Sequence, residues 1–407
     1  MNEQNKKVPT VRFKGFTNDW EQRKLGDIGK STGGTSIESE FSPYGPYKVI
    51  NIGSYSEDHS YNDQGIRAVN SDKTQKRILN KYDLTMILND KTSTGKIIGS
   101  VLIIPCDNEY VYNQRTERIE PNANRFSSLF LYHYLNAPII RKKIISNAQG
   151  NTQLYVNWSS ISKLNYYIPN LSEQNKIGDF LDKVSKAITL QQRKLELLKE
   201  IKKGLLQKMF ADKDSKQPVL RFKGFHDDWE QRKLGEVFLY KQGIQVPVEQ
   251  QYSQKLPGLI RFIRISDIVS SNEPPRFINY HGTNLIKPDD LFMVRYGNPG
   301  MISMGYSGVI ANNLFRLIPK KNIYTLFFYF LLIFENKRLN SLVSNTTMPA
   351  LSFKALDTFY VNFPEKLSEQ KVIGSLLKKL DSLITLQQRR LTKLNTIKKS
   401  LLQQMFI

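Results

Sequence analysis

An 18-residue stretch near the start of the chain recurs, almost unchanged, 209 positions later. Residues 11–28 read VRFKGFTNDWEQRKLGDI and residues 220–237 read LRFKGFHDDWEQRKLGEV, so 13 of 18 paired positions are identical. Self-similarity at a fixed offset is the signature of an architecture built by duplication. We call these two stretches the RFKGF repeats, and we expect the chain to fold as two related halves.

A longer repeat lies downstream of each RFKGF repeat. Residues 171–210 and 367–406 align without a gap at an offset of 196, and 24 of 40 pairs are identical. We call these the long repeats. Two variable regions, 29–170 and 238–366, lie between the repeats and look unrelated beyond their edges. This order predicts a pseudo-two-fold internal arrangement with the two termini close together.

The long repeats have the apolar spacing of coiled-coil helices, with steps of three and four residues. Polar residues at a and d positions, Gln191 with Gln387 and Lys202 with Lys398, cost stability but fix register and partner choice. LSEQ predicts each helix start, with Ser172 or Ser368 as the cap. The apolar and glutamine seam positions are Ile177, Leu181, Val184, Ile188, Gln191, Leu195, Leu198, Leu205 and Met209, then Ile373, Leu377, Leu380, Ile384, Gln387, Leu391, Leu394, Leu401 and Met405.

Each predicted helix is about 36 residues long, or roughly 54 Å at the rise of an α-helix. Two such helices related by a dyad would pair antiparallel as an intramolecular coiled coil. The alternative is two amphipathic helices, each packed separately on its own domain. The apolar seam runs along both copies, which favours the coiled coil.

Both variable regions contain short β-like runs broken by Gly, Asn and Asp, followed by a helical run. The first contains YKVINIG, LTMILND, KIIGSVLIIP and EYVYNQRTERIEP, and the second contains LIRFIRISDIV, LFMVRYG, GMISMGYSGVI and NNLFRLIP. One helix is predicted after each set, in SLFLYHYLNAPIIRKKI and in IYTLFFYFLLIFENKRLNSLV. The predicted fold class is therefore mixed α/β, with α/β domains at 1–170 and 212–366 and helices at 171–211 and 367–407.

The net charge of +22 over 407 residues indicates a polyanionic partner, most simply nucleic acid, although basic charge can also serve solubility. The most apolar run, residues 323–334, is too short to span a bilayer and is predicted to be a buried helix. The N-terminus shows no apolar signal core. These features predict a cytoplasmic protein.

Familiar catalytic motifs are missing from the sequence. There is no phosphate-binding G-x-x-x-x-G-K-[ST] loop, and NEPPRF at 272–277 departs from the motif of adenine methyltransferases at the residues that flank the two prolines. The four histidines, His59, His133, His226 and His281, are far apart and predict no metal site. A protein without its own catalytic centre is favoured.

Over essentially its full length, the chain resembles the specificity subunit of type I restriction–modification systems. The residues that carry the resemblance are the duplicated RFKGF…DWEQRKLG motif, the segments IPNLSEQNKIGDFLD and FPEKLSEQKVIGSLL, and the duplicated helix ITLQQR…MF. The resemblance implies that each variable region is a target-recognition domain that reads one half of a bipartite site in double-stranded DNA. The helices would form the spacer and dock two methyltransferase subunits, and restriction (motor) subunits would join for cleavage. S-adenosylmethionine, ATP and Mg²⁺ would be used by those partners, and no cofactor is expected in this chain.

Lys and Arg contacts to phosphates position a DNA-binding protein, whereas polar side chains on loops read base edges. The polar turns of the variable regions are therefore the predicted DNA-binding sites, although any one of these residues could be a solvated or structural turn residue. They are Asn89, Asp90, Lys91, Thr92, Gln114, Arg115 and Asn151 in the first region, and Arg264, Arg295, Tyr296, Asn298, Asn312, Asn313, Arg316 and Asn345 in the second.

Trp20 and Trp229, which belong to the repeated part, are predicted to be core residues rather than DNA-stacking residues.

The alternative function is a DNA restriction enzyme whose own catalytic site is not evident from motifs.

Overall fold

The computed structural model describes residues 8–91, 94–269, 273–343 and 349–407. The chain forms two compact units, one of residues 1–192 with 389–407 and one of residues 193–388. We call them the first and the second unit. Each of the two long helices contributes one part to each unit.

The first unit contains two four-stranded sheets and one two-stranded ribbon, ordered β2-β9-β6-β7, β4-β3-β8-β5 and β1-β10. Its strands are β1 (Glu21–Lys24), β2 (Gly29–Gly33), β3 (Tyr47–Ile50), β4 (Arg67–Ala68), β5 (Ile78–Leu79), β6 (Leu84–Ile87), β7 (Val101–Ile103), β8 (Tyr110–Tyr112), β9 (Thr116–Pro121) and β10 (Asn165–Ile168). Its helices are α1 (Asp72–Gln75), α2 (Ser128–Leu135), α3 (Pro138–Ile145) and α4 (Trp158–Ile161). It also contains the first part of α5, a helix whose full range is Leu171–Met209.

The second unit repeats this plan, with sheets β12-β18-β15-β16 and β14-β13-β17 and the ribbon β11-β19. Its strands are β11 (Glu230–Lys233), β12 (Phe238–Gln242), β13 (Leu259–Ile263), β14 (Arg276–Asn279), β15 (Leu291–Val294), β16 (Ile302–Ser303), β17 (Val309–Ile310), β18 (Leu314–Pro319) and β19 (Tyr360–Phe363). Its helices are α6 (Leu234–Val237), α7 (Ser266–Val269), α8 (Thr325–Phe334), α9 (Asn336–Asn340) and α10 (Phe353–Asp357). It also contains the first part of α11, a helix whose full range is Leu367–Gln404.

The repeated residues hold each RFKGF repeat against the start of a long helix. Arg12 donates two hydrogen bonds to the carboxylate of Glu173, at 2.6 and 2.8 Å, and Arg221 does the same to Glu369, at 2.8 and 2.9 Å. Both glutamates are buried. Such bidentate pairs are geometrically specific as well as strong. The repetition in the sequence is thus explained by one junction that is built twice.

The next residue of LSEQ joins the start of each long helix to the start of an earlier helix, α2 in the first unit and α8 in the second. The Gln174 side chain accepts from Ser127 N and donates to Pro169 O, and the Gln370 side chain accepts from Tyr324 N and donates to Pro364 O. Buried amides must find such partners, because an unsatisfied polar group is costly. Trp20 and Trp229 lie beside these junctions and are buried, as predicted.

The predicted antiparallel packing of the long helices is present within each unit. In the first unit, Ile177 and Leu181 pack in one core with Met405 and Phe406, with Leu401 at its edge. In the second, Met209 packs with Ile373 and Leu377, and Lys202 forms an ion pair with Asp381 at 2.5 Å. Ile188, Leu195, Gln387 and Leu391 are also buried, whereas Val184, Gln191, Leu198, Leu380, Ile384 and Leu394 are half-buried. The heptad pattern therefore identified the faces that the chain itself covers.

Three local predictions were wrong in detail. Asn170 rather than Ser172 caps α5, because its Oδ1 accepts from Glu173 N at 3.0 Å. Each helix predicted after a set of strands is two helices. In the first unit Pro138 starts α3 and cannot continue α2, and in the second unit α8 ends at Phe334 before α9 starts at Asn336. The run LIRFIRISDIV is a strand followed by the short helix α7.

The apolar run at 323–334 contains α8, whose Phe327, Phe328, Phe330, Leu331 and Leu332 are buried in the second unit, as predicted. Among the described residues, no helix has the length and apolar character needed to cross a membrane.

Candidate nucleic-acid interface

In the first unit, three separate chain segments meet at one end of the sheet β2-β9-β6-β7. Leu88, which follows β6, donates from its N to the carbonyl of Arg115, which precedes β9, at 2.9 Å. The carbonyl of Leu88 in turn accepts from Val156 N at 2.8 Å. Asn89 and Tyr155 pair in a β-bridge. We call this end of the sheet, formed by residues 88–91, 113–115 and 154–156, the first sheet end.

The second unit builds the same arrangement with different side chains. Arg295 N donates to Asn313 O at 2.8 Å, and Leu351 N donates to Arg295 O at 3.1 Å. Tyr296 pairs with Ala350 in a β-bridge, as Asn89 does with Tyr155. We call residues 295–298, 312–313 and 350–351 the second sheet end. Predicted DNA-binding residues from separate turns are thus brought together in each unit.

The predicted residues of the first sheet end differ in how free their side chains are. Asp90 is buried, and its Oδ2 accepts from Ile97 N at 3.1 Å. Gln114 donates to Glu38 Oε1 at 3.2 Å. Lys91 and Arg115 are exposed, and Asn89 is half-buried. Asn151 is exposed but lies outside this set of backbone contacts, and Thr92 lies outside the described residues.

A buried arginine supports residues 95–100, which follow the first sheet end in the chain. Arg141 donates from Nη1 to Ser100 Oγ at 2.7 Å and from Nη2 to Lys96 O at 2.8 Å. Burial lowers the Arg141 pKa to about 10, and the negative charge of Asp90 opposes that shift. Because a buried cation requires such partners, Arg141 holds residues 96–100 in place, and Asp90 binds the same segment at Ile97 N. Neither the partners of Asp90 nor the role of Arg141 was evident from sequence, since the two residues are 51 positions apart.

Arg295 at the second sheet end is half-buried and lies between two aromatic rings. Its guanidinium lies 5.0 Å from the Tyr296 ring centroid and 4.6 Å from that of Phe353. Nη1 donates to the side-chain carbonyl of Gln242, at the end of β12. Gln242 Nε2 donates to Asn312 O at 2.7 Å. Gln242 was missed from the sequence, because its position beside β18 depends on strand pairing.

The other predicted arginines of the second unit are engaged within the domain. Arg264 forms an ion pair with Glu273 at 3.2 Å and another with Asp267 at 3.4 Å. Arg316 contacts Asp290 at 2.8 Å and donates to Leu285 O at 3.1 Å. Asn298 and Asn312 are exposed and Asn313 is half-buried, whereas Asn345 lies outside the described residues.

Two further charged residues near the first sheet end, Glu117 and Arg77, were not predicted from sequence. Glu117, on β9, is buried, and burial raises its pKa to about 7 against the opposing effects of Ser31 and Arg77. Arg77 donates to Gly33 O at 2.7 Å and to Thr35 Oγ1 at 3.0 Å. The charge of this region therefore depends on pH near neutrality. In the part of the chain that the structure describes, no group of three His, Cys, Asp or Glu side chains is placed to hold a metal ion.

A duplicated α/β module joined to paired long helices, with a polar sheet end in each copy, is the arrangement expected of a DNA-specificity protein. The profile of the type I restriction modification DNA specificity domain matches residues 17–200 and again residues 226–396. The chain belongs to this family and carries two copies of its target-recognition domain.

Similar proteins agree with this assignment. The type I restriction enzyme MjaVIII specificity subunit of Methanocaldococcus jannaschii is 22% identical over 416 residues, covering 94% of this chain and 91% of that protein. The MjaIX specificity subunit of the same organism is 23% identical over 415 residues, covering 94% and 92%. A crystal structure of the type I restriction–modification S subunit from M. genitalium shares the fold, with a TM-score of 0.69, 18% identity and coverage of 98% and 99%.

Proposed function

We propose that each unit reads one half of a bipartite DNA site through its sheet end. The observation that carries this proposal is that the two sheet ends use the same backbone hydrogen bonds but carry different side chains. A shared frame with different polar groups suits two readers of different sequence. The proposed recognition domains are 1–170 and 212–366, and the helical segments 171–211 and 367–407 would set their separation.

We propose that the long helices also dock two methyltransferase subunits, which would bring S-adenosylmethionine, and that restriction subunits using ATP and Mg²⁺ join them. Apolar side chains that the chain leaves exposed on these helices support this. Leu190 and Leu386 stand at equivalent positions and are 65% and 43% exposed, and Ile201 and Ile397, also equivalent, are 42% and 41% exposed. Single exposed apolar residues are common, but the same two positions are apolar and exposed in both copies, which suits one docking surface that is built twice. The buried seam residues, by contrast, are already used within the chain.

We expect the purified protein to bind duplex DNA but neither to methylate nor to cut it. Two reactions test this, one with labelled S-adenosylmethionine and one with Mg²⁺ and ATP, each with and without the methyltransferase subunit. Methyl incorporation only in the complex is the expected result. Incorporation or cleavage by the chain alone would instead favour the alternative, a restriction enzyme with its own catalytic site.

We expect Arg295→Ala to cost about 1–3 kcal/mol of specific binding and to relax one position of the site, if Arg295 pairs with a guanine. The measurement is the affinity for the target and for each single-base variant at fixed salt. Lys203→Ala, at an exposed position of α5, is the control and should at most weaken all sequences equally. Equal weakening by Arg295→Ala would show that this residue positions the turn and does not read a base.

We expect helix length to set the unspecified gap between the two half-sites. Four residues inserted after Gln192 add about 6 Å of rise and nearly one helical turn, which preserves the apolar face with a local stutter. This corresponds to roughly 1–2 base pairs of B-DNA. Sequencing of methylated genomic DNA should show a longer gap between unchanged outer bases.

A two-residue insertion at the same site serves as the control. It rotates the apolar face by about 200° and should abolish assembly. An active four-residue variant with an unchanged gap would contradict the proposal that the helices measure the spacing.

A further inference from the structure

A cavity of about 740 Å³ in the first unit has no role in the function proposed above. It lies between the loop 57–61, helix α2 and the paired parts of α5 and α11. The side chains that matter for its chemistry are Asp58, His133, Ser185 and Lys398. It is remote in sequence from the turns of the first sheet end.

Lys398 enters this cavity without a partner. Among the described residues it forms neither an ion pair nor a hydrogen bond. Burial lowers its pKa, and the attraction of the Asp58 carboxylate opposes that shift. Asp58 itself is occupied by the hydroxyls of Ser56 and Ser60, and the neighbouring Glu57 pairs with Lys96 at 2.9 Å. A half-buried ammonium without a contacting counter-ion is unfavourable, so this site is suited to an added anionic group.

The second unit has a lysine at the equivalent position, and there the lysine is paired with a carboxylate. Lys202 is the counterpart of Lys398 in the long repeats, and its Nζ lies 2.5 Å from Asp381 Oδ1. It also lies over the ring of Phe330 at 5.5 Å. The counterpart of Asp381 in the first unit is Ser185. The duplication therefore supplies an internal reference in which a carboxylate fills the position that the first unit leaves open.

A second difference accompanies the first. Gly178 of α5 lies against Phe130 N of α2, and its counterpart Gly374 of α11 lies against Phe327 N of α8. Phe130 therefore corresponds to Phe327, and His133, three residues further on, corresponds to Phe330. His133 is only 3% exposed, lines the cavity, and has no hydrogen-bond partner at Nε2. Burial lowers its pKa to about 3, so the ring is neutral at physiological pH.

We propose that this cavity is a carboxylate-binding site in which Lys398 pairs with the ligand and the neutral His133 ring forms part of the lining. The ligand occupies the position that the Asp381 side chain occupies in the second unit. Two sources share this chemistry, a free small carboxylate and an Asp or Glu side chain of the methyltransferase subunit. The second source rests on the proposed function, whereas the first does not.

The first experiment uses succinate as the probe and the full-length protein. The melting temperature is measured in potassium succinate and in potassium chloride at equal ionic strength. If the site takes free carboxylates, succinate should raise Tm by roughly 2–4 °C more than chloride does. Ser185→Asp, which copies the arrangement of the second unit, and Lys398→Met should both abolish the difference. Lys203→Met, the matched charge control at an exposed position, should retain it.

The second experiment measures binding of the methyltransferase subunit to the same variants. If the ligand is a partner side chain, Ser185→Asp and Lys398→Met should each weaken the complex by about tenfold or more, and Lys203→Met should not. Failure of the wild-type protein to bind that subunit would refute the proposed docking and leave the succinate result to decide this inference.

The inference is overturned if the wild-type protein shows no succinate effect and neither site variant weakens the complex. It is also overturned if the three variants behave alike in both experiments. If Lys398→Met fails to fold, Ser185→Asp still tests the inference, because it introduces an ion pair like that of Lys202 with Asp381 in the second unit.

Discussion

Glu369→Ala is expected to destabilise the protein by about 3–5 kcal/mol, because it leaves the Arg221 guanidinium enclosed without its carboxylate. The wild-type carboxylate accepts two hydrogen bonds from Arg221 and one from Trp229 Nε1 at 3.2 Å, and its side chain is only 1% exposed. Equilibrium unfolding in urea measures the loss as a lower midpoint. Glu173→Ala should act similarly through Arg12 in the first unit.

The control for this prediction is the half-buried pair Arg232–Glu230, at 2.9 Å, whose side chains are 40% and 34% exposed and so far more open to solvent. Glu230→Ala should change stability by no more than about 1 kcal/mol, since solvent screens such a pair. The double variant Arg221→Leu/Glu369→Leu should recover part of the loss, because no unpaired charge remains. If Glu369→Ala and Glu230→Ala cost the same, the junction between the RFKGF repeat and the helix is not held by this ion pair.

Replacement of residues 29–164 by the corresponding region of another family member is expected to change one half of the methylated motif completely and leave the other half intact. These junctions keep β1 and β10 native, so the ribbon that joins the RFKGF repeat to the variable region is preserved. They also keep Glu173 and Gln174, which anchor the helix start. The motif is determined by sequencing methylated DNA from cells that express the complex.

The reciprocal replacement of residues 238–359, which keeps β11 and β19, is the matched control and should change only the other half. A change in both halves after either replacement would contradict independent reading by the two units. A motif that is unchanged after both would show that the sheet ends do not read DNA bases.

The duplication and the long helices could be predicted from sequence, because both are properties of local pattern. Identity over aligned stretches does not depend on the fold, and a seam with steps of three and four residues is stable only as a helix with one buried face. The mixed α/β class followed in the same way from alternating short apolar runs. The strands β2 and β12 were not predicted, because Gly29–Gly33 and its counterpart have no distinct apolar alternation.

The candidate interface could be predicted only as a set of turns. The sequence placed Asn89 and Arg115, and likewise Arg295 and Asn313, in separate polar turns. Strand pairing decided that each pair meets at one sheet end, since β6 pairs with β9 and β15 pairs with β18. Packing also decided which side chains are engaged within the domain, as Arg264 is with Glu273.

Lys202 and Lys398 show most directly what the sequence determined and what only the tertiary structure decided. Their position in the long repeats, and hence their place on the helix, follows from sequence alone. Whether the ammonium is neutralised depends on residues 179 and 213 positions away, Asp381 for Lys202 and Ser185 for Lys398. Antiparallel packing brings those residues into range, and the energy of a charge in a protein is set by such neighbours and by burial rather than by its own sequence context.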